Sequence, residues 1–293
     1  MLARARVFLE LVRFSHTVFA LPFALLSALL AWQEVPFHAL DLIAILMCMV
    51  FARNTAMAFN RLVDRKIDEQ NPRTAARHLP RGVISAAAVA GFAIVNALAF
   101  VASTAIFLRS GNCWPLALSL PVIGYLCSYS YTKRFTIMAH FFLGSSLMLA
   151  PIAAWIAITG MRHLLVPFTL GLIVLSWVAG FDIIYACQDV DFDRQARLCS
   201  VPARLGIATS LRVAAIMHLI TIALLFALHL ACPLLGLTYL VGATCISLLL
   251  VYEHLIIKPA DLSRLNQAFF TVNGVVSIGL LLIVAAQLAA NRL

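Results

Sequence analysis

The chain has 293 residues, of which 63% are hydrophobic and only 11% are Asp, Glu, Lys or Arg, and its mean hydropathy is +1.00. This composition excludes an ordinary soluble domain, and apolar runs of about 20 residues, the length that a helix needs to cross a bilayer, recur along the sequence. The net charge of +9 could suggest nucleic-acid binding. In a membrane chain it more often reports the orientation of the loops, so no nucleic-acid partner is expected.

Nine transmembrane helices are predicted, which makes the chain an all-α polytopic membrane protein with a single domain over residues 1–293. Helices and closed barrels alone satisfy their backbone polar groups in lipid, and runs this long and continuously apolar exclude the barrel. In chain order the predicted helices cover residues 15–32, 38–59, 84–108, 114–131, 137–158, 164–187, 210–230, 233–252 and 267–290.

The basic residues are distributed unequally between the two sides of the membrane. The N-terminus, the loops after the second, fourth, sixth and eighth predicted helices, and Arg212 at the start of the seventh helix account for 17 of the 21 Lys and Arg residues. The positive-inside rule makes this side cytoplasmic, with the N-terminus inside and the C-terminus outside. We therefore expect a multi-pass protein of the inner (plasma) membrane. The residues expected to be ordinary interfacial charges are Arg61, Arg65, Arg81, Arg197 and Arg212.

The first polar stretch, NRLVDRKIDEQNPRTAARHLP, follows the second predicted helix at residues 60–80. Asn60, Asp64 and Asp68 are spaced i, i+4, i+8, which on a helix makes one stripe that drifts by only about 40° per step. A carboxylate at the edge of the hydrocarbon region needs a partner or water. This stripe is therefore a candidate binding site.

The second polar stretch, DIIYACQDVDFDRQARLCSVPARLG, follows the sixth predicted helix at residues 182–206. Asp182, Tyr185, Asp189 and Asp193 are spaced by three, four and four, which predicts a second single stripe, with Asp191 on the opposite face. A shift of 125 residues superposes the two patterns and suggests two weakly related halves, residues 15–131 and 137–252, followed by the ninth helix.

Two carboxylate stripes on the same side of the membrane repel each other unless a cation lies between them. Oxygen ligands favour Mg²⁺, which usually takes one or two carboxylates and completes its shell with water and substrate phosphates. Arg side chains clamp phosphate oxygens, and basic residues follow both stripes, namely Lys66, Arg73, Arg77, Arg194 and Arg204. Together they predict a Mg²⁺–diphosphate site at the cytoplasmic mouth of a helical bundle, with an apolar cavity for a lipid-like tail.

The motifs NxxxDxxxD and DxxYxxxDxxxD, together with the segment Pro72–Arg77 of the form PRTxxR, resemble the signatures of the UbiA superfamily of intramembrane prenyltransferases. The resemblance covers essentially the whole chain. Within the superfamily, RTAARHLPRG and the second polar stretch look most like 4-hydroxybenzoate polyprenyltransferases, and especially like a branch thought to prenylate 1,4-dihydroxy-6-naphthoate on the futalosine route to menaquinone. One departure is His78, where many members have Pro directly after the second Arg.

The resemblance implies a role for each group of site residues. Mg²⁺ and the diphosphate would be held by Asn60, Asp64, Asp68, Asp189 and Asp193. Phosphate oxygens would be neutralised by Lys66, Arg73, Lys133 and Arg204, while Asp182 and Tyr185 would face the reacting carbons. The expected partners are a polyprenyl diphosphate, an aromatic acid acceptor and the lipid bilayer, with no obligate protein partner.

The chemistry of aromatic prenylation suggests two further assignments. Asp182 or Asp189 is expected to orient or deprotonate the phenol hydroxyl, or to remove the ring proton. A cation is expected to bind the carboxylate of the acceptor, and the candidates are Arg53, Arg77 and Arg134. His140 and His218, in or near apolar helices, are expected to be core or hydrogen-bonded residues.

Two other classes of membrane protein are alternatives. Weak repeats and intramembrane acids also occur in transporters, although here the acids cluster near one face rather than at the midplane. A CDP-alcohol phosphotransferase also has Asp residues at i, i+4 spacing, but its signature needs an Asp-Gly pair, and this chain contains none. We therefore favour the prenyltransferase and keep a transporter with a cytoplasm-facing acidic site as the alternative.

Overall fold

The computed structural model describes residues 20–259, 261–262, 264–265 and 271–292. The predictions for residues 1–19, which include the start of the first helix, and for the first residues of the ninth helix lie outside this part. Apart from one isolated bridge between Lys258 and Asp261, the regular elements in the described part are helical. They divide into two compact units, residues 37–131 and residues 20–36 with 132–292.

The helices follow the predicted order, with short additional helices after the second polar motif. They are α1 (Leu21–Ala31), α2 (Ala39–Gln70), α3 (Ala86–Ala105), α4 (Trp114–Thr132), α5 (Ala139–Thr159), α6 (Leu165–Ala186), α7 (Val190–Gln195), α8 (Val201–Leu205), α9 (Ile207–Ala231), α10 (Leu237–Ile256) and α11 (Asn273–Ala290). Turns of 3-10 helix at Ile106–Ser110 and Cys187–Asp189 extend α3 and α6.

The all-α membrane class is confirmed, because seven helices of the described part are long and apolar enough to cross a membrane. They are α2, α3, α5, α6, α9, α10 and α11, with the 3-10 turns and α7 counted as extensions. Helix α1 has only 11 described residues, and α4 does not belong to this group. The predicted count of nine spans is therefore not confirmed.

In the unit of residues 37–131, α2 packs against α3. The prediction ended the second helix at residue 59, whereas α2 continues through the polar stretch to Gln70, since a helix can extend beyond the hydrocarbon core where its polar side chains meet water and charged partners. An amide pair joins the two helices, with Asn54 Nδ2 donating to Asn96 Oδ1 at 2.9 Å. At the start of α2, Asp41 Oδ1 lies 2.5 Å from Arg109 Nη2.

In the second unit, α6 is the central helix, and most of its side chains are buried. It packs against α5 and α9, while α1 packs against α5 and α11, and α10 against α9 and α11. Trp177 is fully buried at the centre of the core. Its ring centroid lies 5.3 Å from that of Phe23 and 5.0 Å from that of Phe181.

A chain of buried polar side chains crosses the same unit. Trp177 Nε1 donates to Asn273 Oδ1 at 2.7 Å, and Asn273 Nδ2 lies 3.4 Å from Glu253 Oε1. His218 Nε2 lies 3.3 Å from the Trp177 carbonyl oxygen, and its Nδ1 lies 2.9 Å from His254 Nε2. The expectation that His218 is a hydrogen-bonded core residue is therefore confirmed. These bonds link α6, α9, α10 and α11, because polar groups buried in an apolar bundle must pair with one another.

Glycine sets the distance between α5 and α6. A Cβ atom added at Gly144 on α5 would lie 2.5 Å from the carbonyl oxygen of Leu175 on α6. That oxygen belongs to the backbone, so it cannot move aside as a side chain can. The close contact brings the first turn of α5 beside the last turn of α6, where Asp182 lies.

We predict that Gly144→Ala destabilises the protein by about 1–3 kcal/mol, the usual cost of forcing atoms into a packed contact. The matched control is Gly279→Ala in α11, where an added Cβ meets nothing within 4 Å, so it should stabilise the protein by up to about 1 kcal/mol through the higher helix propensity of Ala. Thermal unfolding in detergent measures both variants. Equal melting temperatures for Gly144→Ala and the wild type would contradict the assigned contact.

Candidate functional site

The first acidic cluster lies on the last three turns of α2. Asn60 Nδ2 donates to Asp64 Oδ2 at 2.8 Å, the contact expected of residues four apart on a helix. Asp68 follows one turn later and is only 6% exposed. The predicted stripe on a single helix is therefore confirmed for this cluster.

Asp68 is paired with two arginines. Arg77 Nη1 lies 2.6 Å from both carboxylate oxygens of Asp68, and Arg61 Nη1 lies 4.0 Å from Oδ2. Arg61 is buried, with 6% of its surface exposed, so its assignment as an ordinary interfacial charge was wrong. The reason is helical geometry, because residues seven apart share a face of a helix and Arg61 lies seven positions before Asp68. The other four arginines of that group are exposed.

After α2 ends at Gln70, the chain makes a compact turn that packs back against Asp68. The Thr74 hydroxyl donates to the carbonyl oxygen of Asp68 at 3.0 Å, and Asn71 Oδ1 accepts the Arg73 backbone N–H at 2.9 Å. Asn71 and Thr74 are buried, so they fix the turn that carries Arg77. Lys66 and Arg73 are exposed on the same segment, while Arg53 lies partly buried in the apolar part of α2.

The second acidic cluster does not form the predicted single helical stripe. Helix α6 ends at Ala186, the 3-10 turn Cys187–Asp189 comes next, and a new helix starts at Val190. A 3-10 turn advances about 120° per residue and an α-helix about 100°, so the three intervening residues rotate the side chains of α7 away from the stripe on α6. Asp189 and Asp193 are nevertheless buried, and Asp191 is exposed as expected.

Asp193 is held by the loop between α4 and α5. Lys133 Nζ lies 3.4 Å from Asp193 Oδ2, and the carbonyl oxygen of Lys133 accepts the Cys199 backbone N–H at 2.7 Å. Asp193 is only 1% exposed, so Lys133 balances its charge. Arg134 and Arg204 are exposed, and Arg204 Nη2 lies 3.5 Å from Cys199 Sγ.

Asp182 is paired with a histidine that no sequence motif places beside it. His140 Nδ1 lies 2.7 Å from Asp182 Oδ2, and the Val201 backbone N–H donates to His140 Nε2 at 3.3 Å. His140 is buried and hydrogen-bonded, as expected in general terms. Its two partners are 42 and 61 positions away, so no local pattern in the sequence could identify them. Tyr185 lies partly buried, close to the end of α6.

The acidic residues of each cluster offer oxygen donors of the kind that a hard metal ion prefers. In the described part of the chain, no three His, Cys, Asp or Glu side chains form a group that could hold a metal ion. Each cluster contributes two of the predicted carboxylate ligands, and the first adds the Asn60 amide. Mg²⁺ commonly takes one or two carboxylates and leaves its other positions to water and substrate phosphates. The oxygen donors within each cluster therefore suit Mg²⁺, provided that water and phosphate supply the rest of its shell.

The helices and the two acidic clusters define a multi-pass membrane protein with polar, oxygen-rich sites at the ends of its helices. A model of the UbiA prenyltransferase family matches residues 20–275. The chain therefore belongs to the UbiA prenyltransferase family, which confirms the resemblance seen in the two motifs and identifies the protein as an enzyme. The match favours a transferase over the transporter alternative.

Individual relatives agree with this assignment. The 4-hydroxybenzoate octaprenyltransferase of Vibrio atlanticus is 29% identical over 283 residues, which cover 94% of this chain and 97% of that protein. The protoheme IX farnesyltransferase of Methylococcus capsulatus is 29% identical over 234 residues, 78% of this chain and 76% of that protein.

Solved structures show the same fold. The apo structure of a UbiA homolog from Aeropyrum pernix K1 has a TM-score of 0.82 and 31% identity, covering 95% of this chain and 98% of that one. A UbiA homolog from Archaeoglobus fulgidus bound to DMAPP and Mg²⁺ has a TM-score of 0.74 and 20% identity, covering 96% and 99% of the two chains.

We predict that Arg77→Gln lowers the free energy of unfolding by about 3 kcal/mol, because it removes the nearer cation from a buried carboxylate. Arg65→Gln is the matched control, since Arg65 is exposed on the same helix as Asp68 and should change stability by less than about 0.5 kcal/mol. Thermal unfolding without substrate measures both. Indistinguishable melting curves for the two variants would show that the Arg77–Asp68 pair contributes little.

Proposed function

We propose that this enzyme transfers a polyprenyl group from a polyprenyl diphosphate to a ring carbon of an aromatic acid, in a Mg²⁺-dependent step of ubiquinone or menaquinone biosynthesis. The observation that carries the proposal is the presence, in a member of the UbiA family, of two acidic clusters whose buried Asp residues lie beside Arg and Lys. Ion pairs of this kind supply both the oxygen ligands for Mg²⁺ and the cations for a diphosphate.

The proposed ligands are the oxygen-bearing side chains of both clusters. Mg²⁺ and the diphosphate would be held by Asn60, Asp64, Asp68, Asp189 and Asp193, and phosphate oxygens would also contact Lys66, Arg73, Lys133 and Arg204. When bound, Mg²⁺ neutralises charge on the diphosphate and makes it a better leaving group. Preorganised charge of this kind is usually the largest catalytic term.

The reaction breaks one carbon–oxygen bond and forms one carbon–carbon bond. The diphosphate leaves with the bonding electron pair, and the apolar helices around the allylic cation exclude water that would otherwise hydrolyse it. The ring carbon ortho to a phenol hydroxyl then bonds to the prenyl carbon and loses its proton to a base. We assign the base to Asp182 or Asp189, with Asp182 and Tyr185 beside the reacting carbons.

The aromatic acceptor is proposed to be 4-hydroxybenzoate or 1,4-dihydroxy-6-naphthoate, with its carboxylate bound by Arg53, Arg77 or Arg134. The names of the Vibrio relatives support hydroxybenzoate. His78, where many members of the family have Pro, weakens this choice. The protoheme IX farnesyltransferase relative has a similar identity to this chain, so overall similarity does not choose the acceptor. We further propose that the enzyme lies in the inner membrane with its active site facing the cytoplasm.

A competition assay tests the reaction and the acceptor together. Purified protein in liposomes receives Mg²⁺, a long polyprenyl diphosphate and equal amounts of the two aromatic acids, and mass spectrometry reads the products. We expect one prenylated acid to dominate and no product when EDTA removes the metal. An intact diphosphate and two unmodified acids, with folded protein, would contradict the proposed reaction.

Substitution of the acidic residues tests the metal site. Asp64→Asn and Asp189→Asn should each lower kcat at least about 100-fold, because an amide supplies no negative charge to the metal. Each has a matched control on an exposed acid close by in sequence, Glu69→Gln for the first and Asp191→Asn for the second. The controls should retain activity within about twofold of the wild type. Near-normal turnover of either Asp variant would remove that residue from the metal site.

A further inference from the structure

The ring of His140 links two backbone segments that are far apart in the sequence. It lies in the first turn of α5, contacts Asp182 in the last turn of α6, and accepts a hydrogen bond from Val201, the first residue of α8. Only 1% of its surface is exposed. The ring is therefore fixed between a carboxylate and a backbone amide.

These two contacts determine which nitrogen of the ring carries the proton. A backbone N–H can only donate, so the Nε2 atom that faces Val201 at 3.3 Å must be the acceptor. The proton then resides on Nδ1, which donates to Asp182 Oδ2 at 2.7 Å. His140 is thus a neutral donor to the carboxylate, and its tautomer is set by the backbone of α8.

The two carboxylate oxygens of Asp182 differ in their hydrogen bonding. Oδ2 accepts from His140, and within the described part of the chain no hydrogen bond joins Oδ1 to another residue. The Asp182 side chain is 21% exposed, while that of His140 is 1% exposed. The Asp182 side chain is therefore partly accessible, while the histidine that holds its Oδ2 is buried.

We infer that His140 is a positioning residue for Asp182 and directs Oδ1 of that carboxylate at the proton that leaves the aromatic acceptor. The inference rests on the proposed function. As the new carbon–carbon bond forms, the proton moves from the acceptor to Oδ1 of Asp182, while Nδ1–H of His140 stays bonded to Oδ2. His140 itself takes no proton, because its Nε2 lone pair is already used by the Val201 N–H. The proton later passes from Asp182 to water.

The same ring connects the base to the segment proposed to bind the diphosphate. Val201 begins α8, which Ser200 caps by accepting the Ala203 N–H at 3.3 Å, and α8 also carries Arg204. A side chain that bonds to both Asp182 and Val201 fixes the position of α8 relative to the carboxylate. His140 thus positions α8 through these two hydrogen bonds, and not through packing alone.

Two substitutions separate the two contacts. In His140→Asn, the side-chain amide reaches about as far as Nδ1 and can donate to Asp182, but it cannot reach Val201. In His140→Gln, the amide oxygen reaches about as far as Nε2 and can accept from Val201, but no donor remains at the Nδ1 position. We expect kcat to fall about 10- to 100-fold in the Gln variant, the usual effect of losing a hydrogen bond to a charged group. The Asn variant should stay within about threefold of the wild type.

The melting temperatures of the two variants should rank in the opposite order to their kcat values. The Asn variant loses the Val201 bond and should melt below the Gln variant, which keeps that bond. KM for the polyprenyl diphosphate should be unchanged in the Gln variant, because the contact to α8 is intact. His163→Gln is the control for the substitution type, since its side chain is 74% exposed, and it should match the wild type in both kcat and melting temperature.

Wild-type kcat in the Gln variant, or equal losses of kcat in the Asn and Gln variants, would overturn the positioning role. A Gln variant that fails to fold would show that His140 acts through packing, which also overturns it. If the wild type prenylates neither acid, the proposed function fails instead, and that result is separate from any difference between the variants.

Discussion

A carboxylate buried at the end of an apolar helix must have a partner, and this requirement shapes both polar segments of the protein. Removing an ion from water costs several kcal/mol unless a counter-charge or donor replaces the solvent. Asp68 is paired with Arg77, Asp193 with Lys133, and Asp182 with His140. The turns after α2, α4 and α6 bring the first two pairs into contact, and the packing of α5 against α6 brings the third together. Much of the local structure outside the hydrocarbon core therefore depends on three carboxylates.

Under the proposed function, the same pairing would let one set of residues serve both the free and the substrate-bound enzyme. In the proposed reaction a Mg²⁺–diphosphate complex brings negative phosphate oxygens and a cation together. In that reaction Lys133, with 37% of its side chain exposed, would turn to a phosphate, and the 2% exposed side chain of Asp193 would have the metal as its counter-charge. Charge balance would then be kept while the partners change.

The sequence predicted most of the helices and the residues of both clusters, because hydrophobic run length and residue type are local properties. The stripe of Asn60, Asp64 and Asp68 was correct since α2 is regular there. The second stripe failed at Cys187–Asp189, because residue spacing does not distinguish a 3-10 turn from an α-helix. The burial of Arg61 could have been predicted from its seven-residue spacing to Asp68.

The pair of His140 and Asp182 could not be predicted from spacing. It depends on how closely α5 approaches α6, and that distance is set by the absence of a side chain at Gly144. A glycine in an apolar helix has several possible reasons to be there, and only the packed structure shows that a neighbouring carbonyl occupies the space. Long-range contacts of this kind carry no periodic signal.

The separation of the partners along the chain has a consequence for how the protein is made. Arg77 follows Asp68 by nine residues, so their ion pair closes a short loop and can form soon after this segment leaves the ribosome. Lys133 and Asp193 are 60 residues apart, and α5 and α6 must both be synthesised before Asp193 is neutralised. Asp68, in the unit of residues 37–131, can thus be neutralised early during membrane insertion. Asp182 and Asp193 meet their partners only after α5 and α6 have formed a helical hairpin. A defect in the formation of this hairpin would leave the two carboxylates exposed to lipid without a partner.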